Sequence, residues 1–486
     1  MNPIDLGIIV AYVFGCTLLG AKLGADAKGL KGYFLGESNI PAWAVMISIV
    51  ATETSTATFL SVPGVAFGGN FTFLQLAIGY LLGRVVVAVV LLPSYFRGEV
   101  FTAYQILQVR FGGATRTTAS VLFLITRSLS DGLRLFLAAK VLEQLTGWPI
   151  WVSIVAMGVA TIVYTYLGGM KAVIWTDVIQ FFIYILGAVV ALVVLVRAIP
   201  GGWGELTSVA AAAGKFRVFD FRLDWTVPYT FWAGLIGGMV LNTATHGVDQ
   251  MMVQRYLSAR SQSQAAAALV ASGLVVFAQF ALFLFIGVGL FVLFKAVPPP
   301  VKLGPDEVFA YFIVHNLPVG VVGLVIAAIF SAAMSTLSSS LNSSASSTVN
   351  DLYKPFTGRA DEAHLLRLSK ALTAVWGVVQ MAVAFGAIGL MDNVVNNALK
   401  IASFVTGILL GLFLLGVLTR GVGQSAALVG MIAGLAAVSA ASYVANVAFP
   451  WWALIGSTTV FVVGLAASYV LPRTEIEPSP QPSPAA

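Results

Sequence analysis

Apolar positions in this chain do not alternate with polar ones; they run on. Stretches of about 20 or more apolar residues, punctuated by Gly, Pro and charge, recur along it and read as membrane-spanning helices. They predict about thirteen spans, at 3–22, 41–67, 72–96, 116–145, 149–168, 172–198, 226–249, 264–296, 319–351, 365–389, 392–418, 422–446 and 450–471. The expected fold class is therefore an all-α integral membrane protein. The segment 474–486 is Pro/Ser-rich and reads as a disordered tail.

The informative positions are those where the apolar pattern fails. Ser331–Tyr353 continues an apolar run yet reads SAAMSTLSSSLNSSASSTVNDLY. At 3.6 residues per turn Ala332, Ser335, Thr336 and Ser339 share one face, with Ser338 beside them. Such a face either packs closely against neighbouring helices or offers oxygens to a hard cation. The second span carries ATETSTATF (Ala51–Phe59) at mid-membrane and the seventh carries LNTATHG (Leu241–Gly247). Irregular backbone at that depth is tolerated only where it lines a cavity or is buried in protein. Two interrupted helices five spans apart are a pointer to an inverted-repeat transporter, although two polar-seamed helices in an unrelated bundle would read the same way.

Composition agrees with the spans. Of 486 residues, 59% are hydrophobic and 9% charged, against about 25% charged in soluble domains. The net charge of +6 reflects loop topology and calls for no nucleic acid. The single cysteine, Cys16, excludes an intramolecular disulfide and a cysteine-based metal site. Basic residues concentrate on alternate loops, among them Lys22, Lys28, Lys31, Arg97, Arg110, Arg116, Lys171, Arg255, Arg260, Lys354 and Arg420. Fewer occupy the opposite loops, Arg197, Lys215, Arg217, Arg222, Lys295 and Lys302. That asymmetry places the N-terminus outside and the C-terminus in the cytoplasm, with a bacterial-type inner membrane as the expected location. No GxxxxGK[ST] loop and no HExxH motif is present, so neither an ATP-driven pump nor a metallopeptidase is indicated, and the chain is expected not to be an enzyme.

ATETSTATFLSVPG, GGMKAVIWTDVIQ (Gly168–Gln180), HGVDQMMVQRYL (His246–Leu257) and AAMSTLSSS followed by NDLY together resemble the sodium/solute symporter family, over about residues 30–440. The resemblance implies the leucine-transporter fold: a five-plus-five inverted repeat, here 41–198 and 226–418, with one span and a loop before it (1–40) and two spans after it (422–471). It also implies sodium as coupling ion, one or two per cycle, with no organic cofactor. The positions matching the family's first sodium site are Ala51, Thr54, Ala332, Ser335 and Thr336. Unwinding would free the carbonyls of Ala51 and Thr54, and an all-neutral oxygen set suits a monovalent ion better than calcium. A second sodium, bound in some members, would use Asp177, Ser338 and Ser339. The alternative for Asp177 is an N-terminal helix charge favoured by the macrodipole or a partner for Lys171, but an acid near membrane depth is costly without a task.

By position, the resemblance places solute contacts at Glu53, Ser55, Thr58, Gln75, Asn242, Thr245, His246 and Asn397. Arg127, Asp131 and Arg134 stand at i, i+4 and i, i+3 spacing inside a span. They form either a structural ion triad or, through an arginine such as Arg134, a clamp for a solute carboxylate. The function expected is sodium-coupled import of a small polar organic solute, anionic or zwitterionic, such as a carboxylate or acidic sugar. A neutral sugar, polyol or amino-acid symporter is the alternative on the same fold. A proton-coupled carrier titrating Glu53 or Asp177, or a transporter-like sensor, is the alternative of another class. The partners expected are the solute and the lipid bilayer, with no nucleic acid, and a monomer as the functional unit.

Overall fold

The computed structural model describes residues 2–24, 29–98, 100–304, 307–390 and 392–471, and within 392–402 the side chain of Lys400 alone. Among the described residues the chain is helical, with one isolated β-bridge between Ile40 and Ala259. In chain order the main helices are α1 (Pro3–Gly24), α2 (Ala42–Glu53), α3 (Thr56–Gly68), α4 (Leu74–Val86), α5 (Gly113–Thr146), α6 (Ile150–Ala198), α7 (Gly238–Val248) and α8 (Gln250–Leu257). They continue with α9 (Gln262–Ala296), α10 (Val321–Ser347), α11 (Glu362–Gly386), α12 (Asp392–Leu418), α13 (Gln424–Tyr443) and α14 (Trp452–Ala467).

Eight of the described helices are long and apolar enough to cross a membrane, or nine when α2 and α3 count as one broken span. The difference from about thirteen has physical causes. Residues 149–168 and 172–198 form one run, α6, kinked at Gly169 (φ 55°, ψ −152°). Only glycine fits there: a Cβ would stand 2.4 Å from the Tyr33 carbonyl oxygen, at a φ that L side chains rarely adopt. The seventh span is cut into α7 and α8, and α5 carries Arg116, Arg127, Asp131, Arg134, Lys140 and Glu143 in one helix.

The first break occurs where expected; the second does not, because LNTATHG is helical throughout and the chain breaks two residues beyond it. α2 and the Thr58–Gly68 part of α3 meet at 64°, separated by Thr54 (ψ 100°) and the N-cap Ser55 (ψ 169°). The second break falls at Asp249 (φ −79°, ψ 121°), just beyond LNTATHG, because Asp249 caps α8 by accepting the Met251 N–H at 2.9 Å. α9 packs along α3, close enough that a Cβ on Gly287 would lie 1.9 Å from the Pro63 carbonyl. α10 packs along α6, and α1 lies against both. Asp5 of α1 accepts the N–H groups of Gly320 (2.7 Å) and Gly323 (2.8 Å), so a carboxylate meets the positive end of α10. The start of α2 and the end of α8 are stitched by the Ile40 N–H to the Ser258 carbonyl, 3.0 Å.

Three basic residues counted above as loop charges are not, Arg116 among them, buried on α5 with its guanidinium donating to the Asp351 carbonyl at 3.1 Å. Arg255 is wholly buried on α8, and Lys215 is buried against α3, its ammonium donating to the carbonyls of Phe67 (2.7 Å) and Gly69 (2.8 Å). Each is held by oxygens of the fold, Arg255 by a carboxylate and Lys215 by the last carbonyls of a helix, which the positive-inside count does not weigh.

Candidate functional site

The two breaks, α5, α10 and α12 enclose a cavity of about 360 Å³, within the size range of small-molecule sites. Its wall includes Thr52, Glu53, Ser55, Thr58, Arg127, Arg134, Thr245, Asp249, Met251 and Thr336. Five residues expected near solute, Glu53, Ser55, Thr58, Arg134 and Thr245, therefore do line one space. Three others lie elsewhere. Gln75 is buried with its amide fully engaged: it donates to the carbonyls of Thr72 (3.1 Å) and Tyr229 (3.0 Å) and accepts the Asp220 N–H (3.0 Å), which pins the loop after α6. Asn242 is buried against Gly83 at the α4–α7 contact. His246 sits behind Glu53, with Nδ1 2.9 Å from the Tyr256 hydroxyl. The side chain of Asn397 lies outside the described residues.

Beside the cavity α10 turns its hydroxyl face to the first break. Because α2 ends at Glu53, its last carbonyls have no helical partner. The Thr336 hydroxyl reaches across to one of them, donating to the Thr52 carbonyl at 3.1 Å and to its own Ala332 carbonyl at 3.3 Å. Ala51 and Ala332 are fully buried. Thr54 is fixed from its other side: the Gln279 amide donates to its hydroxyl at 2.8 Å, and the Tyr184 hydroxyl donates to Gln279 Oε1 at 3.0 Å. The Thr336 hydroxyl thus brings the Thr52 and Ala332 carbonyls to one point, with neutral oxygens only.

Ser335 points elsewhere. Its hydroxyl donates to Asp177 Oδ1 at 2.7 Å, whereas Oδ2 accepts from Ser48 (2.5 Å) and Thr52 (3.3 Å). Ser339 bonds Thr52 Oγ1 at 3.1 Å and returns its proton to the Ser335 carbonyl at 2.7 Å. Ser338 turns back to the same carbonyl at 3.1 Å. Arg255 joins this cluster, donating to Asp177 Oδ2 at 2.9 Å and to Ser339.

Sequence reasoning missed three residues here. Arg84 is fully buried and bonds Glu53, Ser272 and His246 Nε2, the last at 3.3 Å. A lone arginine in LLGRVVVAVV should have been singled out by the same cost of intramembrane charge that singled out Arg127 and Arg134. Arg255 and Gln279 left a weaker signal, a polar side chain in an apolar or motif-bearing run. The α5 triad is formed as its spacing required: Arg127–Asp131 at 3.5 Å and Arg134–Asp131 at 3.0 Å. Arg127 also pairs with Asp249, across from α5 to the second break.

A breached helix facing a hydroxyl-rich helix over a charged, polar cavity is the arrangement of an ion-coupled carrier. Residues 33–434 match the model of the sodium:solute symporter family. The chain belongs to that family. It is 30% identical to the sodium/iodide cotransporter of Homo sapiens over 89% of this chain and 68% of that protein. It is 32% identical to the sodium-coupled monocarboxylate transporter 1 of Homo sapiens over 90% of this chain and 74% of that protein. Its fold superimposes on a substrate-bound, outward-open Na+-coupled sialic acid symporter with a TM-score of 0.89 at 29% identity, covering 97% of this chain and 99% of that one. This symporter is therefore an all-helical, multi-pass membrane transporter of the leucine-transporter fold, not an enzyme.

Proposed function

We propose that this chain imports a small anionic or zwitterionic organic solute, a carboxylate or acidic sugar, together with two sodium ions by alternating access. The observation that carries the reading is the contact between Thr336 and Thr52, since both residues border the solute cavity and the neutral oxygen cluster at once. A sodium ion held by Ala51, Thr54, Ala332 and Thr336, with Ser335 turning toward it, would tie α10 to the break in α2. That would stabilise the outward-open state and complete the cavity wall before solute enters. The coupling is a differential affinity of two states, worth about 1–3 kcal/mol. Asp177 with Ser338 and Ser339 would hold the second ion. The proposed orientation has the N-terminus outside and the C-terminus in the cytoplasm.

The solute class rests on how the cavity charges are matched. Glu53 is taken by Arg84 and Asp249 by Arg127. Arg134 shares Asp131 with Arg127, and its side chain remains 42% exposed. It is the least compensated cation on the wall, and a guanidinium fork suits a carboxylate. The relatives named for iodide, monocarboxylate and sialic acid all carry anions, which supports this choice. Proton coupling is disfavoured because both candidate carboxylates, Glu53 and Asp177, are held by arginines.

The test is a thermal-shift screen of purified protein against carboxylates, acidic sugars, neutral sugars and amino acids, in sodium and in potassium. A carboxylate or acidic sugar should raise the unfolding temperature more in sodium than in potassium. Equal shifts in both cations for every compound would overturn sodium coupling, and a larger shift with a neutral sugar would overturn the solute class.

A further inference from the structure

The proposed second sodium site already holds a cation of the chain's own. Arg255 donates through Nη2 to Asp177 Oδ2 at 2.9 Å and to Ser339 Oγ, through Nε to Ser48 Oγ at 2.9 Å, and through Nη1 to the Met251 carbonyl at 2.7 Å. Asp177 and Ser339 are two of the three residues assigned to the second ion, and Nη2 stands between their oxygens. Asp177 and Arg255 are both 0% exposed. One buried carboxylate cannot serve a guanidinium and a sodium ion together, because two cations in contact away from water repel strongly and only one would be neutralised.

The donors around the carboxylate fit either occupant. The hydroxyls of Ser335 and Ser48 now give their protons to Asp177. Their oxygens keep lone pairs for a hard cation, and hydroxyl protons rotate at little cost. α6 is continuous through Asp177, so no unwound carbonyls contribute here, and the site needs its carboxylate.

We propose that Arg255 is a tethered cation that exchanges with the second sodium ion at Asp177, and that this exchange latches and releases α8. The proposal rests on the reading of Asp177 as the second ion's carboxylate. α8 is eight residues long and wholly buried. At its first turn Met251 and Met252 border the solute cavity, and its N-cap Asp249 pairs with Arg127. At its last turn Arg255 grips Asp177 of α6 and Ser339 of α10. With the arginine in place the short helix is pinned to both. With sodium in place Asp177 is satisfied by an untethered charge, and α8 is free to move as a lever whose other end meets the solute. The second ion and the solute thereby act on one rigid element. The second ion also binds more weakly than its oxygens alone would allow, by the fraction of molecules in which the arginine has withdrawn.

The test is equilibrium binding of radiolabelled sodium to the purified full-length protein. Arg255→Gln keeps amide donors and removes the charge. It should tighten the second sodium by about tenfold or more, the factor expected when the arginine-in state dominates by that ratio. Adding Asp177→Asn to Arg255→Gln should abolish that gain and leave the first ion bound. Unchanged or weaker second-ion binding in Arg255→Gln would overturn the exchange. Occupancy is separated from a remote charge effect with Arg255→Ala: free guanidinium ion should displace its second sodium and not its first, and no displacement would refute a shared position. If Arg255→Gln and Arg255→Ala do not fold, Arg255→Lys supplies the measurement. Its ammonium lacks the fork that spans Asp177 and Ser339, so a partial gain supports the exchange and none refutes it. Failure of the parent reading looks different. Wild-type protein that binds no sodium refutes symport itself, and tight second-ion binding that survives Asp177→Asn refutes Asp177 as the ligand.

Discussion

Two regions of α10 one helical turn apart use the same hydroxyl chemistry in opposite electrical settings. At Thr336 the partner is a broken helix, α2, whose terminal carbonyls supply dipoles without charge. At Ser339 the partners are Thr52 Oγ1 and the Arg255 guanidinium, which pairs in turn with Asp177 on a stretch of α6 whose carbonyls are consumed by its own ladder. Any extra attraction for a cation there must come from a side chain, Asp177. A neutral cluster can stand without an ion, since its hydroxyls and carbonyls satisfy one another. A buried carboxylate cannot stand alone, because desolvation penalises the bare charge, and Arg255 is the result. Unwinding a helix creates a site that is free to wait for an ion; burying an acid creates one that must always be filled.

The comparison is broken most sharply at Asp177. Asp177→Asn leaves Arg255 buried without a counter-charge, which should destabilise the protein by about 3–5 kcal/mol. Arg255→Gln in the same background should recover most of it in thermal unfolding. Thr336→Ala, by contrast, should cost about 1 kcal/mol of stability or less. It should still raise the half-saturating sodium concentration about tenfold, equivalent to 1.4 kcal/mol. A loss of stability at Thr336 as large as that at Asp177 would erase the distinction between the neutral and charged regions.

Smaller effects sharpen the same picture. Arg134→Gln should weaken binding of a carboxylate solute on the order of tenfold, the loss of one charge-assisted hydrogen bond, while the sodium-induced thermal shift persists. Gln279→Leu removes the amide that orients Thr54 and should change sodium affinity about two- to fivefold, for a bond of about 0.5–1 kcal/mol. The smallest effect lies outside the membrane. Hydrogen bonds from Arg222 hold the Asp220 carboxyl below its usual range. With the folded value lowered, its contribution is complete above the unfolded pKa of about 3.9 and is lost as pH falls through the folded one. Solvent around the exposed Arg222 keeps it small. The difference in unfolding temperature between wild type and Asp220→Asn should therefore be slight at neutral pH and vanish in acid.

Legibility followed the range of the interaction. The helical class, the first interruption, the hydroxyl face and the α5 triad depend on residues within a turn or two of one another, and all were readable. Gln75 and Asn242 were placed by likeness of position to solute contacts, and their amides are instead spent on a loop and a helix crossing. His246 is held behind Glu53. Arg84 was readable by the cost of its charge and was passed over. Arg255 was only weakly readable: a basic residue six positions after a break looks like a loop charge until the fold brings α6 beside it.

Periodicity, composition and spacing by themselves determined an all-helical membrane protein, where the first of its helix breaks falls, and which helix presents hydroxyls at membrane depth. Hydrophobic length and local helical geometry leave little freedom in those matters. Only the tertiary structure decided which charges meet: Glu53 with Arg84, Asp249 with Arg127, Asp177 with Arg255. Burial makes each pairing obligatory, but partners separated by dozens of residues are chosen by helix packing and leave no trace in the spacing of the chain.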